Sequence, residues 1–192
     1  MILYPATKKA VHYAVRNYHY SQKASARCFD VAFSVFNDKK EFCGVICYGR
    51  GANPKIASPY GLKQGEVLEL LRVALNGKQE STSKAISISI KLLKKASPLT
   101  KILVSYADKG QNHIGIIYQA TNWIFETESE SSGYEYYKDG KWWHSKSLAR
   151  FDRAKMEKRK MSGKYKYIYP LSKDMLLLCK ERGKPYPKAN IV

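Results

Sequence analysis

The sequence predicts an α/β fold in which a mixed sheet carries helices on its faces. Two adjacent segments, residues 29–36 and 41–48, have the composition of a strand hairpin. They are followed by a helical segment at 81–96 and by a strand at 102–106 that runs into a helical spacing. A hairpin followed by alternating strands and helices is typical of one sheet with helices packed against it. At 192 residues, the chain is long enough for one domain with a hydrophobic core.

The first half of the chain supplies a basic helix and the hairpin. Residues 4–20 predict a helix and a loop. Residues 29–36 alternate apolar and polar side chains, as a half-buried strand does, and NDKK at 37–40 predicts the turn. Residues 41–48 are more continuously apolar and predict a buried return strand. Residues 49–65 are rich in Gly, Pro, Asn and Ser, which is typical of a loop.

The second half begins with an ambiguous segment. Residues 66–75 (EVLELLRVAL) fit a strand or a helix, because a short apolar run suits both. Residues 81–96 predict a helix, with capping serines at its start and Pro98 beyond its end. Residues 134–144 predict a twisted hairpin whose strands are YEYY and KWWH. A last strand is predicted at 165–169.

The segment 105–123 (SYADKGQNHIGIIYQATNW) joins a strand to a helix. Helical spacing places four of its residues on one face: Ile114, Ile117, Tyr118 and Thr121. Asn112 is the predicted N-cap of this helix. Asp108 at the end of the strand and His113 at the start of the helix lie where many α/β proteins keep catalytic groups. We therefore expect this segment to form one wall of a functional site.

The charge of the chain is strongly positive and unevenly distributed. The formal net charge is +18, from 34 basic and 16 acidic residues. Residues 1–27 contribute +5 and residues 138–192 contribute +11, whereas residues 28–137 contribute only +2. The two ends therefore place a positive field around a nearly neutral core, which indicates a polyanionic partner. A basic surface that serves only solubility is the alternative.

Aromatic residues alternate with lysines just before the most basic part of the chain. The rings lie at 134–144 beside Lys138 and Lys141, and further cations continue to Lys164. Flat rings between cations suit stacking on bases beside phosphate contacts, although a purely structural hairpin would show the same pattern. The predicted DNA-binding residues are Lys141, Trp142, His144, Lys146, Arg150 and Arg153.

Composition argues against several classes of protein. No run of about 18 apolar residues predicts a membrane-spanning helix, and the first residues lack a signal-peptide pattern. Cys43 and Cys47 lie in a predicted buried strand, where cysteine acts as a small hydrophobe. Cys28 and Cys179 have no CxxC partner, which disfavours a cysteine-bound zinc. We expect reduced thiols in a cytoplasmic protein. No H-x-x-x-H spacing supports another metal site, and a metal remains an alternative only.

The predicted order of elements resembles the acetyltransferase fold of the GNAT class, a mixed, mainly antiparallel twisted sheet with helices on both faces. In that fold a central strand leads to a helix whose N-terminal N–H groups bind the pyrophosphate of coenzyme A. The matching helix start here carries Ser81 and Ser83. The usual R/Q-x-x-G-x-G/A loop is absent, and Glu80 lies close to the place of the diphosphate. The resemblance therefore leaves acetyl-coenzyme A as one candidate donor and the cofactor unidentified.

Within that class, the chain resembles the Mom family of phage DNA-modification proteins. The resembling pieces follow in order over residues 17–147: HYS at 19–21, E-L-x-R at 69–72, the serine-capped helix near 81–83, SYAD with the following H, G, IYQA and N at 105–122, and D-G-K-x-x-H at 139–144. The family converts adenine in DNA to an N6-carbamoylmethyl form that blocks restriction endonucleases. The last 40 residues match only loosely. We therefore expect a single domain over 1–192 with a basic extension from about 146 to 192.

The resemblance implies a role for individual residues. It implies catalytic roles for His19, Tyr20, Asp108 and Tyr118, and substrate or donor binding by Ser21, Arg72, Ser81 and Ser83. It also implies a transferase that acts on double-stranded DNA in the cytoplasm of an infected bacterium. Without the resemblance, Tyr118 would be assigned to the core because it lies on the apolar helical face.

The chemistry of these residue types leaves alternatives open. His19 can serve as a general base near neutral pH, or it can be a surface histidine packed among tyrosines. Asp108 can orient that histidine, accept a hydrogen bond from the adenine amino group, or only close a turn. Arg72 can bind a phosphate or a carboxylate, or it can form a salt bridge with Glu66 or Glu69.

Two other functions are compatible with the sequence. The first is a GNAT-like N-acyltransferase that acts on RNA or protein, which coenzyme A in the purified protein and unaltered deoxyadenosine would favour. The second is a basic DNA-binding protein without enzymatic activity. It predicts unaltered nucleosides and DNA binding that survives His19→Ala and Asp108→Ala.

Overall fold

The structure is a computed structural model that describes residues 1–22, 29–131, 133–145, 148–149 and 152–188. Within these residues the chain forms ten strands and four α-helices. The strands are β1 (Ile2–Pro5), β2 (Val31–Phe36), β3 (Phe42–Gly49), β4 (Val67–Leu75), β5 (Ile102–Asp108), β6 (Ile124–Ser129), β7 (Tyr134–Lys138), β8 (Lys141–His144), β9 (Lys158–Lys160) and β10 (Lys164–Pro170). The helices are α1 (Lys8–Tyr18), α2 (Thr82–Ala96), α3 (Ile116–Gln119) and α4 (Asp174–Glu181).

Seven strands form one mixed sheet in the order β1-β2-β3-β4-β5-β10-β6. Its neighbouring strands are antiparallel except for β4 and β5. These two parallel strands pair only where Val67–Glu69 lies beside Ile102–Val104. Both strands continue for several residues beyond this pairing, so a gap between them opens towards their carboxyl ends.

Alternation along the strands places helices on both faces of this sheet. On β3, Ile46 and Tyr48 belong to the cluster that contains the buried residues of α2, whereas Val45 and Cys47 pack against α1. On β5, the side chains at 102 and 104 pack with Cys179 of α4. The register through β4 puts those side chains on the α1 face. Thus α1 and α4 cover one face, and α2 and α3 cover the other.

The remaining strands form a second, three-stranded antiparallel sheet in the order β8-β7-β9, here called the insert sheet. It lies in the chain between β6 and β10. Lys164, the first residue of β10, pairs with both Ser129 at the end of β6 and Asp108 at the end of β5. The insert sheet therefore leaves the main sheet at the end where Asp108 lies.

The structure confirms the fold class and most predicted elements. The hairpin is β2 and β3, the ambiguous segment at 66–75 is strand β4, and YEYY and KWWH are β7 and β8. Ser81 caps α2, since its side chain accepts a hydrogen bond from the amide of Lys84 at 3.3 Å. Four elements were not predicted: β1, β6, β9 and α4. Strands β1 and β9 are very short, and β6 (IFETES) is an edge strand whose polar end is exposed.

The helix predicted to start at Asn112 is wrong in its start and its length. Asn112 adopts the left-handed conformation, with φ 54°, at the end of a 3₁₀ turn over Lys109–Gln111. Helix α3 begins only after Gly115, whose φ is 79°, so Ile114 lies outside it. The Tyr167 hydroxyl donates to the Ile114 carbonyl and holds this loop. Here a tertiary contact overrides a local helical pattern.

Three cysteines, Cys43, Cys47 and Cys179, are buried free thiols, and Cys28 lies outside the described residues. Burial raises the pKa of Cys47 to about 12 and the pKa of Cys179 to about 11. Such thiols stay protonated at neutral pH and act as packing residues. No helix in the described part of the chain combines the length and the apolar character needed to span a bilayer.

Candidate active site

A cavity of about 480 Å³ lies in the gap between β4 and β5. Its wall contains residues 69–73 of β4, the end of β5 with Asp108, the loop and helix over 112–118, and residues 18–20 after α1. Lys164 of β10 completes it. Because β4 and β5 do not pair here, the cavity has access to groups from both faces of the sheet. This volume is within the usual range for a small-molecule pocket.

A β-bulge in β4 sets the directions of the cavity side chains on that strand. Cys47 of β3 pairs with Arg72, whereas Tyr48 pairs with Leu70, so Leu71 is the extra residue. Without the bulge, Glu69 and Arg72 would lie on opposite faces, since they are three residues apart. With it, both lie on the α1 face. Asp108 lies on that face too, because it is four residues after Val104, which pairs with Glu69. The bulge therefore brings the charged groups to one side of the gap.

His19 ends α1 and reaches the cavity as the cap residue of that helix. The amide of Ser21 donates to its Nδ1 at 3.1 Å, and the Ser21 hydroxyl lies 2.8 Å from the same atom. Because Nδ1 accepts, the neutral ring carries its proton on Nε2. Burial, followed by the charges of Arg72 and His113, lowers the pKa of His19 to about 4. His19 is therefore neutral at neutral pH, and its ring presents Nε2–H as a hydrogen-bond donor.

Tyr20 stands at the rim of the cavity with 59% of its surface exposed. Its ring stacks on His19 with centroids 4.4 Å apart and meets the edge of His113 at 6.1 Å. Partial burial and the Asp108 charge raise the pKa of the Tyr20 hydroxyl, so it remains protonated. An exposed flat ring with one face supported by another ring is suited to stack on a base.

Asp108 is held by one of its two carboxylate oxygens. Oδ1 accepts hydrogen bonds from the Gly110 amide at 2.9 Å and from the Ser162 hydroxyl. His19 is oriented by Ser21 and not by Asp108. The bond from Gly110 makes Asp108 the side-chain cap of the 3₁₀ turn over Lys109–Gln111, so the turn-closing alternative is observed. Its Oδ2 atom takes part in none of the hydrogen bonds of the described residues, so Asp108 can also accept from a substrate N–H, whereas it is not the orienting partner of His19.

Tyr118 enters the cavity from the opposite face of the sheet. Its ring is 8% exposed and packs between Trp123 and Tyr167, with centroids 5.4 Å and 5.1 Å away. Its hydroxyl lies 2.9 Å from the Ser105 hydroxyl, which also bonds the Leu70 carbonyl across the gap at 3.1 Å. Burial raises the pKa of Tyr118 to about 12. Tyr118 therefore forms a rigid, protonated floor of the cavity.

Arg72 contributes a guanidinium group without an acidic partner among the described salt bridges. The Glu66 carboxylate pairs instead with Lys101 at 3.1 Å. The Arg72 side chain donates to the carbonyl of its neighbour Leu71 at 2.6 Å. The described residues contain no salt bridge between Arg72 and Glu66 or Glu69, so the guanidinium is available to a ligand.

Ser81 and Ser83 lie outside the cavity wall, at the start of α2. Their hydroxyls are 2.8 Å apart, and Ser81 already accepts the Lys84 amide. The Glu80 carboxylate occupies the same helix start, paired with Lys84 and the N-terminal amine. A carboxylate there repels a second anion, so these residues do not fit a diphosphate. Ser21 also lies outside the wall, although it fixes the ring of His19.

The predicted DNA-binding residues fall on the insert sheet and the turn that follows. Lys141, Trp142 and His144 belong to β8, and Arg153 lies in a 3₁₀ turn over Asp152–Lys155. Lys146 and Arg150 lie outside the described residues. The described part of the chain contains no group of three or more His, Cys, Asp or Glu side chains placed to hold a metal ion.

Solved acetyltransferases share this fold at low sequence identity. NAA60 of Arabidopsis thaliana, solved with a bisubstrate analogue, matches with a TM-score of 0.57 and 10% identity over 88% of this chain and 97% of that one. A spermidine N-acetyltransferase SpeG chimera from Vibrio cholerae matches with a TM-score of 0.56 and 8% identity, over 91% of this chain and 98% of that one. A probable GNAT-family acetyltransferase from Chromobacterium violaceum matches with a TM-score of 0.53 and 11% identity, over 88% of this chain and 82% of that one. The fold is therefore GNAT-like.

A sequence profile of the Mom protein family matches residues 1–188. The chain belongs to the Mom protein family. The methylcarbamoylase Mom of Escherichia phage Mu is 29% identical over 134 residues, a match that covers 68% of this chain and 54% of the relative. The chain thus spans about half the length of that curated relative.

Two cavity residues of this Mom-family chain were missing from the predicted site. Glu69 and Lys164 both line the cavity. Burial raises the pKa of the Glu69 carboxyl, and the charges of Lys164 and Arg72 offset only part of this effect. The sequence signal for Glu69 was its place three residues before Arg72, but only a strand with a bulge puts these two residues on one face. Lys164 had no signal, because its position depends on the pairing of β10 with β5.

Proposed function

We propose that this protein is a DNA-modifying transferase that converts adenine in double-stranded DNA to an N6-carbamoylmethyl-type base, which protects phage DNA against restriction. The observation that carries the proposal is that one cavity collects residues from four separate parts of a Mom-family chain: His19, Tyr20, Arg72, Asp108 and Tyr118. The name of the phage Mu relative, a methylcarbamoylase, supports a transfer reaction of this type. The bacterial cytoplasm, where phage DNA is exposed to restriction, is the proposed place of action.

The geometry requires the target base to leave the duplex. A cavity between two strands of a sheet cannot admit a stacked base pair, so the adenine must be extruded into it. The exposed ring of Tyr20 is placed to stack on the extruded base. Asp108, held through Oδ1 only, accepts a hydrogen bond from the N6 amino group, which is the donor that distinguishes adenine on that edge.

Proton removal from N6 is assigned to Glu69. When N6 attacks the carbon of the transferred group, the bond from that carbon to the donor's leaving group breaks, and the leaving group departs with the electron pair. For N6 to stay neutral, one of its protons must pass to a base. Glu69 lines the cavity, and burial raises the pKa of its carboxyl, which makes it a stronger base than an exposed glutamate. His19 presents Nε2–H and therefore donates a hydrogen bond to the reacting group. Arg72 and Lys164 stabilise negative charge on the donor or on the DNA backbone.

The decisive experiment measures the DNA of cells that express the protein. Genomic DNA is digested to nucleosides, and mass spectrometry is used to detect a heavier deoxyadenosine. We expect it with the wild-type chain and with Glu181→Gln, an exposed control on α4, and we expect its loss with Glu69→Gln. Unmodified deoxyadenosine at good expression of folded wild-type protein would overturn the proposal, and acylated RNA or protein in the same cells would favour an N-acyltransferase.

A further inference from the structure

The two faces of the insert sheet carry different residues. In an antiparallel sheet, directly paired residues point to the same face. Tyr134 pairs with Lys160, Tyr136 with Lys158 and Trp143, and Lys138 with Lys141. One face, here called the lysine face, therefore consists of Tyr134, Tyr136, Lys138, Lys141, Trp143, Lys158 and Lys160. The opposite face consists of Glu135, Tyr137, Trp142, His144 and Arg159.

The charges on the opposite face are already neutralised. Arg159 donates two hydrogen bonds to Glu135, at 2.9 Å and 3.0 Å, and its guanidinium lies 4.2 Å from the centre of the Trp142 ring. Trp142 in turn packs on Tyr137 with centroids 5.3 Å apart. This face is thus a closed structural cluster. Trp142 and His144 therefore lie on the face opposite to Lys141, although the sequence analysis assigned all three to one DNA-binding set.

The lysine face has the opposite character. None of its paired residues is acidic, and its four lysines are exposed. Among the described salt bridges, only Lys160 has a partner, Glu130, at 3.9 Å. Arg153 adds a fifth cation over the Tyr136 ring at 5.9 Å, and Lys158 lies over Tyr134 at 5.3 Å. Cations resting on flat rings form a surface suited to a phosphate backbone.

The lysine face also lies close to the cavity. Only residues 161–163 separate the last residue of β9, Lys160, from Lys164 in the cavity wall. The four steps between their Cα atoms span at most about 14 Å. One strand of a duplex carries a phosphate about every 3.4 Å of axis, so this length corresponds to about four base pairs.

We propose that the lysine face binds the backbone of double-stranded DNA within about four base pairs of the extruded base. This inference rests on the proposed function, because it takes DNA as the substrate, and it adds the surface that positions the duplex. In this arrangement the insert sheet holds the flank of the site by charge, while the cavity receives the base.

The test compares two triple variants that remove equal charge. Lys138→Gln/Lys141→Gln/Lys158→Gln changes the lysine face. Lys91→Gln/Lys94→Gln/Lys95→Gln changes exposed lysines in the second half of α2. Binding to a fluorescent 20-base-pair duplex is measured by anisotropy over a range of salt concentrations. Three lost phosphate contacts lower the slope of log K against log salt by about 2 to 3 and weaken binding about 10- to 100-fold at 0.15 M salt. The α2 variant should stay within about threefold of wild type.

The outcomes separate this inference from the proposed function. An equal loss of duplex affinity in both variants, or an unchanged salt slope in the lysine-face variant, would overturn DNA binding by the lysine face. Neither result would contradict adenine modification in cells. A wild-type protein that modifies deoxyadenosine but binds the duplex no better than the lysine-face variant would also overturn it. The variant with arginine at the same three positions keeps the charge and should bind like wild type, and circular dichroism of the glutamine variant checks that it is folded.

Discussion

The cavity and the insert sheet use charge in different ways. In the cavity, carboxylates and cations are mixed, half-buried and held in fixed directions, as Asp108 is by Gly110 and Ser162. On the lysine face, charges of one sign are exposed on long flexible side chains. Fixed groups suit chemistry, because they need no reorganisation during reaction. Exposed cations suit binding of a polyanion, which salt can reverse. We therefore propose that the cavity carries out the reaction and the lysine face binds DNA, and the following predictions test that separation.

Besides Glu69→Gln, the largest expected effect comes from Asp108→Asn. This change preserves the oxygen that accepts hydrogen bonds from Gly110 and Ser162, but it removes the negative charge that faces the substrate. We expect adenine modification to fall by about 100- to 1,000-fold, whereas duplex affinity changes by less than about threefold. Rates are measured by nucleoside mass spectrometry and affinity by anisotropy. A parallel loss of duplex affinity would show that the cavity and the binding surface are not separate.

The cavity and the insert sheet each contain a glycine in the left-handed conformation, and the two glycines differ in how closely they are packed. A Cβ on Gly115 in the cavity loop would lie 2.4 Å from the Tyr167 ring, whereas a Cβ on Gly140 in the β7–β8 turn meets nothing within 4 Å. Gly115→Ala therefore adds a clash to the backbone strain and should cost about 3 to 4 kcal/mol. Gly140→Ala carries the strain alone and should cost about 1 kcal/mol. Urea unfolding followed by circular dichroism measures both, and equal costs would contradict the difference.

The same two regions show which features the sequence could predict. Local patterns identified the β7–β8 hairpin and the Ser81 cap, since each depends on residues close together in the chain. The cavity depends on the bulge at Leu71 and on the pairing of Lys164 with Asp108, which are long-range features that no local pattern contains. The false helix start at Asn112 has the same cause, because Tyr167 holds that loop from about 50 residues away.

The resemblance to the Mom family, and not residue type alone, selected five residues that the structure brings together. His19, Tyr20, Arg72, Asp108 and Tyr118 do meet at one cavity. The general-base role of His19 could not be judged from sequence, because the hydrogen bond from the Ser21 amide fixes its tautomer and burial shifts its pKa. In the same way, Lys141 and Trp142 are neighbours in sequence but lie on opposite faces of a strand.

Ser162 lies at the junction between the two regions. It precedes β10, two residues after β9 ends, and its hydroxyl donates to Asp108. We expect Ser162→Ala to lower the turnover number for adenine modification about tenfold, because Asp108 loses one of the two donors that position it. Duplex affinity and the apparent KM for DNA should not change. A rise in KM with an unchanged turnover number would assign Ser162 to binding instead of to positioning.

The smallest expected effect is the dependence of stability on pH through His19. Its pKa is about 4 in the folded protein and near 6.5 in the unfolded chain, so the unfolded state binds more protons between these values. The stabilising contribution is complete above pH 6.5 and is lost as the pH falls towards 4. Because the ring is partly exposed to solvent, we expect a loss of only about 1 kcal/mol between pH 7 and pH 5. Urea unfolding at both pH values measures it, and His19→Gln should lose correspondingly less over the same interval. An equal loss in both proteins would show that the histidine ring is not shielded by the cavity and would weaken its role as a neutral donor.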